Sequence, residues 1–214
     1  MKESHQPAQA CVIWMHGLGA DASDMVGVAD QLSVQDLALR HLFINAPQRP
    51  VTLNNGMVMP AWYDIVGLKL VDKVDIEGIL HSEGIIRQVM ESQVKDGFAY
   101  NQLFLAGFSQ GGAMALQTGL NTPEQLAGII ALSAYLPLGE ESSSQLNKAT
   151  PFFMGSGRFD PLVLPAWTQH AHDWVVNKGY TNCSFHQYSM EHSICYEEIT
   201  DLNNWFINQL AGGR

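Results

Sequence analysis

Gly107-Phe108-Ser109-Gln110-Gly111 sets one hydroxyl between two glycines, where the apolar run LFLAGF ends and the helix-forming run QGGAMAL begins. A G-x-S-x-G pattern between a strand and a helix is the signature of a nucleophile elbow, in which a sharp, strained turn lifts the serine above a sheet edge. The glycines are steric requirements, since side chains at 107 or 111 would meet neighbouring backbone. The turn also sets Ser109 over a helix N-terminus, where free N–H groups and the helix dipole favour developing negative charge. A simpler role for Ser109 is to cap the helix starting at Gln110.

A serine hydroxyl attacks only after a base removes its proton, and that base needs a third group to fix its tautomer. Four histidines follow Ser109. His170 and His172 fall inside the helix-like run PAWTQHAHDWVVNKG and His186 within the last strand, whereas His192 lies in the loop between that strand and the final helix. Loop placement makes His192 the candidate base. Asp160 follows the strand PFFMG on another strand-to-helix loop and is the candidate acid; Asp173 reads as a solvated helix residue and Asp201 as part of the last helix. Two N–H donors must also face the oxyanion. The backbones of Gln110 and, from the loop WMHGLGAD, Leu18 are the candidates, with His16 read as a turn residue hydrogen-bonded to backbone.

These residues need a scaffold that gathers strand ends. Ala10–Met15, His41–Ala46, Gln102–Gly107, Leu126–Ala134, Pro151–Gly155 and Cys183–Ser189 are short apolar runs that read as strands buried on both faces. Between them Ile76, Ile79, Leu80, Ile86, Val89 and Met90 recur at helical spacing, as do Trp167, Ala171, Trp174 and Val175. Alternating strands and helices predict an α/β fold, a mostly parallel central sheet with helices on both faces, in which function gathers at the C-terminal strand ends. No linker or repeat divides the 214 residues, so one domain spanning 1–214 is expected. Gly139–Pro151 is the most polar stretch and reads as a surface loop or frayed helix.

Composition narrows the partners. A formal charge of -10 without a basic cluster argues against nucleic acid and against a polybasic membrane patch. The longest uncharged apolar stretch, Leu126–Leu138, is too short to span a bilayer. Cys11, Cys183 and Cys195 lack metal-ligand spacing and the N-terminus lacks an apolar signal region, which together read as a reduced, cytoplasmic protein. Cys195, three residues after His192, reads as an inert buried thiol, with an oxidation-sensing thiol near the site as the alternative.

The segments HGLGAD, NAPQRPVTLNNGMVMPAWYDI, GFSQGGAMAL, SAYLP, FDPLV and MEHSICYEEI together resemble, in order and over about Ala10 to Leu210, the phospholipase/carboxylesterase family, which includes bacterial carboxylesterases and eukaryotic acyl-protein thioesterases. The resemblance implies an α/β-hydrolase fold without a large cap domain and hydrolysis of carboxylic esters and thioesters. It carries the family's triad onto Ser109, Asp160 and His192 and its oxyanion donors onto Leu18 and Gln110, in agreement with the residue-level reading. One departure is Met154-Gly155-Ser156-Gly157-Arg158-Phe159, where many relatives carry a His-Gly pair before the acid.

The irregular, apolar segment from Pro50 to Val74 is expected to wall an acyl groove, with Leu68, Leu70 and Trp62 as substrate contacts. For Trp62 a plain covering role at the sheet edge fits equally well. The expected substrate is a small acyl ester, a lysophospholipid or an acyl thioester, with no metal or organic cofactor. Transient membrane contact and a homodimer are left open, as are two other readings of the same constellation: a small serine peptidase and a hydrolase-fold binding module without turnover.

Overall fold

We describe residues 7–32, 38–67, 73–142 and 145–211 of a computed structural model. Six strands, β1 (Ala10–Met15), β2 (Leu39–Ile44), β5 (Leu103–Phe108), β6 (Gly128–Leu132), β7 (Phe152–Gly157) and β8 (Cys183–Tyr188), form one sheet in the order β2-β1-β5-β6-β7-β8. Every pairing in it is parallel. Parallel strands need crossovers, and helices α1 (Ala22–Gln31), α2 (Ile76–Lys95), α3 (Gln110–Leu120), α4 (Pro165–Asn177) and α5 (Tyr196–Ala211) accompany them.

Alternation along each strand divides the core. Cys11, Ile13 and Met15 of β1 pack with Leu103 and Leu105 of β5 under α2, α3 and α4. Ala10, Val12 and Trp14 pack with Phe104 and Ala106 under α1 and α5. The continuous apolarity of these strands therefore reflects two buried faces. α3 is buried along its whole length, and its place between the sheet and α2 holds the turn before it.

The helical stripes are narrower than their spacing suggests. Ile79, Ile86 and Met90 of α2 are buried and Val89 packs partly against them, but Ile76 and Leu80 are exposed. On α4, Ala171, Trp174 and Val175 are buried. Asp75 caps α2 by accepting from the Gly78 amide at 2.9 Å, and Pro165 opens α4.

Part of the segment read as irregular is an antiparallel hairpin, β3 (Gln48–Val51) and β4 (Met57–Pro60). Its turn takes Asn55 and Gly56 at positive φ, 55° and 74°. Asn-Gly is a strong hairpin signal, and Pro50 and Pro60 are tolerated because each strand has an open edge. Gly139–Glu141 forms a single 3-10 turn within the polar stretch. Among the described residues no helix is long and apolar enough to cross a membrane.

Candidate active site

The C-terminal ends of β1, β5, β7 and β8 converge on one face. Ser109 follows β5 directly, at φ 55° and ψ −119°, a conformation costly for any L-residue. Its amide donates to the Leu132 carbonyl at 2.8 Å, while its carbonyl accepts from the Ala113 amide at 3.0 Å. Strand and helix thus grip both sides of the turn. A Cβ on Gly107 would lie 2.3 Å from the Gly111 carbonyl carbon, and one on Gly111 would lie 2.2 Å from the Met15 carbonyl oxygen. Both glycines are therefore needed for β1, β5 and α3 to meet. The Ser109 side chain makes no capping bond to its own helix, which removes the capping role considered from sequence.

His192 Nε2 lies 2.9 Å from Ser109 Oγ, and His192 Nδ1 lies 2.7 Å from Asp160 Oδ2. Asp160 is buried, and its other oxygen accepts from the Leu162 and Val163 amides, both at 2.9 Å. With Asp160 acting only as acceptor, the Nδ1 hydrogen points to it and Nε2 is left to accept from the serine hydroxyl. Phe108 packs its ring 4.7 Å from the imidazole and limits its swing.

Leu18 and Gln110 line the same cavity as Ser109. The Gln110 N–H opens α3 and so has no partner within the helix, and among the described residues neither it nor the Leu18 N–H donates to another backbone acceptor. His16 is fully buried; its Nε2 accepts from the Ala46 amide at 3.0 Å, which leaves its Nδ1 hydrogen to donate to the Gly17 carbonyl at 2.7 Å. The Gly17–Leu18 peptide is planar and trans, so a carbonyl held on the His16 side turns the Leu18 N–H the opposite way. The turn residue expected at His16 is thus a brace for that peptide, and the histidine beginning H-G-x-G was the signal for it.

Trp62 is fully buried and does not line the cavity beside Ser109. Its indole N–H donates to the His16 carbonyl at 2.9 Å and its backbone N–H to Gln110 Oε1 at 2.8 Å. The expected substrate contact is instead a clamp on both loops around the serine, because the indole finds its hydrogen-bond partner inside the protein. Leu68 and Leu70 lie outside the described residues. His172 stacks on Phe185 and His186 on Phe153, both away from Ser109, whereas His170 lines the cavity.

The cavity has a volume of ≈ 1070 Å³ and includes Leu18, Ser109, Ile65, Val66, Leu136 and Trp167 in its lining. Ile65, Val66 and Val74 come from the segment expected to wall a groove. Their side of the cavity is pinned by Asp75, whose Oδ2 accepts from the Asp64 amide at 2.8 Å and lies 3.6 Å from Arg49. Asp64 in turn accepts from the Thr52 amide and hydroxyl at 2.7 and 2.6 Å.

The turn before Asp160 has its own packing logic. A Cβ on Gly155 would fall 1.8 Å from Glu198 Oε1, and one on Gly157 would fall 2.4 Å from the Glu191 carbonyl in the loop carrying His192. Gly155 and Gly157 thus let α5 and the histidine loop seat against β7. Glu198 is fully buried and neither carboxylate oxygen has a hydrogen-bond partner among the described residues. Burial, reinforced by the charge of Asp201, pushes its carboxyl from 4.5 up to about 8. Between those values the native chain holds a proton that the unfolded chain releases, so this group's contribution is fully present below about 4.5 and lost as pH rises to about 8. Glu198→Gln should therefore raise the melting temperature more at pH 8 than at pH 5, with a gain on the order of a few kcal/mol at the higher pH. Equal shifts at both pH values in a thermal denaturation series would contradict a neutral buried Glu198.

A family model for phospholipase/carboxylesterase matches residues 1–210. Acyl-protein thioesterase 1 of Yarrowia lipolytica is 37% identical over 204 residues, covering 92% of this chain and 90% of that protein. The protein of the same name from Mycosarcoma maydis is 38% identical over 213 residues, covering 90% of this chain and 88% of its own length. Among solved structures, Arabidopsis thaliana SOBER1 superposes with a TM-score of 0.86 at 29% identity, over 95% of this chain and 100% of its own. Zea mays acyl-protein thioesterase 2 superposes with a TM-score of 0.82 at 25% identity, over 97% of this chain and 96% of its own. The fold is that of the α/β hydrolases. The chain belongs to the phospholipase/carboxylesterase family of serine hydrolases.

Proposed function

We propose that the protein hydrolyses carboxylic esters and acyl thioesters through an acyl-enzyme on Ser109. The observation that carries this reading is the continuous hydrogen-bonded chain Asp160–His192–Ser109 opening on an apolar cavity. His192 Nε2 takes the serine proton as Oγ attacks the carbonyl carbon, and Asp160 stabilises the imidazolium that forms. The oxyanion is received by the Leu18 and Gln110 N–H groups. His192 then protonates the departing alcohol or thiol, and water repeats the sequence to release the acid. No step calls for a metal or an organic cofactor. The thioester half of the proposal is supported by the thioesterase relatives and by a cavity large enough for an extended acyl chain.

Hydrolysis of p-nitrophenyl esters with two to sixteen acyl carbons, with a palmitoyl thioester alongside, tests it. Activity that is abolished when a fluorophosphonate occupies Ser109 is expected. Absence of both turnover and labelling would favour the binding-module reading, and turnover restricted to amides would favour a peptidase.

His16 belongs to this proposal as a positioning residue. His16→Ala removes the shorter of the two bonds to the Gly17 carbonyl, leaving only the Ala20 amide at 3.3 Å, and so loosens the orientation of the Leu18 donor; kcat should fall by up to roughly a hundredfold with little change in KM. A rise in KM with kcat intact would show that His16 serves the cavity rather than the oxyanion.

A further inference from the structure

Tyr63 and Tyr135 reach each other across the cavity wall from different parts of the chain, their phenol oxygens 2.8 Å apart. Tyr63 follows the Trp62 clamp, and its carbonyl accepts from Gln110 Nε2 at 2.7 Å, which ties it to the residue after the nucleophile. Tyr135 lies beyond the end of β6 and packs edge-on against Trp167, ring centres 6.0 Å apart. The pair is therefore held by both loops and does not drift with one of them.

Two hydroxyls carry two hydrogens, and one bond joins them. Neither oxygen makes another hydrogen bond to the described residues, so one O–H is left over whichever tyrosine donates. Tyr63 is 3% exposed, and burial pushes both phenols further above neutrality, so both remain protonated donors. A spare donor in a mostly apolar chamber is a polar feature that packing alone does not require.

We infer that the Tyr63–Tyr135 pair is a subsite that donates a hydrogen bond to a neutral oxygen acceptor on the substrate, so that the cavity discriminates in favour of oxygen-bearing acyl donors over all-hydrocarbon ones. This rests on the acyl-transfer reading above. The acceptor is an ether, hydroxyl, ketone or ester oxygen, carried by the acyl chain or by the alcohol. Either phenol can supply the donor once its partner is gone, so one tyrosine suffices and removal of both hydroxyls abolishes the subsite.

The test compares p-nitrophenyl decanoate with isosteres in which one chain methylene becomes an ether oxygen or a ketone, position by position. A second arm keeps the decanoyl group and places the oxygen in the alcohol, hexyl against 2-butoxyethyl. Intrinsic reactivity cancels when the ratio of kcat/KM for each pair is compared between wild type and Tyr63→Phe/Tyr135→Phe. A preference of ~10-fold for the oxygenated partner in one arm, lost in the double variant and retained at least in part by a single one, is expected. The arm that responds identifies the part of the substrate that carries the acceptor. Equal ratios in wild type and double variant in both arms would overturn the inference. The same pairs titrated into Ser109→Ala, with and without the two tyrosine changes, read the subsite without turnover. Failure there counts against the subsite alone, whereas failure of wild-type hydrolysis counts against the acyl-transfer reading.

Discussion

Ser109→Ala is expected to lower kcat for any ester by roughly a millionfold while leaving the fold intact. The fold should survive because alanine keeps the Cβ, and the serine side chain contributes no cap to α3. The strained turn stays where it is, imposed by the Ser109–Leu132 bond and by the close approach across Gly107 and Gly111. Only the oxygen that bonds to the acyl carbon is lost. The residual rate would come from the two backbone donors and the cavity acting on water. Kinetics on the purified variant, with circular dichroism to establish its fold, check this. Activity within about tenfold of wild type would mean that another group performs the attack.

Asp160→Asn should cost about ten-thousandfold in kcat, through a tautomer rather than through lost packing. Two backbone amides, Leu162 and Val163, already point at Oδ1 and require an oxygen there. An asparagine must therefore keep its carbonyl on those amides and turn its NH2 toward His192. Facing a donor, Nδ1 becomes the acceptor and the imidazole hydrogen moves to Nε2, where it can no longer receive the Ser109 proton. Binding of substrate should be little changed, so KM holds while kcat collapses. Recovery of rate at high pH, where the serine loses its proton without help, would accompany this cause. A loss confined to KM would contradict it.

The elements of chemistry were legible because each carried a local signal. The elbow announced itself through two glycines whose absence of side chains is demanded by neighbouring backbone. His192 and Asp160 could be selected by lying on loops after strands, and the structure brings those residues and Ser109 into one hydrogen-bonded chain. The six parallel strands were legible as continuous apolar runs, β1 to the residue, although the limits of the other five moved by one or two residues, as with β2 at Leu39–Ile44 in place of His41–Ala46.

What escaped was non-local. Trp62 reads as a substrate contact or a cover for the sheet edge until its indole is seen bonded to His16 and its backbone to Gln110. His16 reads as a turn residue bonded to backbone, as found, but only the Ala46 amide fixes its tautomer. The β3–β4 hairpin was hidden because prolines and methionines obscured its alternation, though Asn55-Gly56 marked its turn. Ile76 and Leu80 share the period of the α2 core stripe, yet exposure depends on where that stripe meets α3 and the cavity rim. Glu198 shares the helical period of the buried Leu202 and Trp205, but its residue type reads as a surface carboxylate until the glycine it rests on is seen.

The measurement that tests the central claim most directly is intact-protein mass spectrometry of the wild-type chain quenched in acid during turnover of p-nitrophenyl decanoate, followed by peptide mapping. A transient mass increase of one decanoyl group is expected on the peptide containing Ser109, absent from Ser109→Ala. An acyl group found on another residue, or hydrolysis that proceeds at full rate in Ser109→Ala, would contradict nucleophilic attack by Ser109.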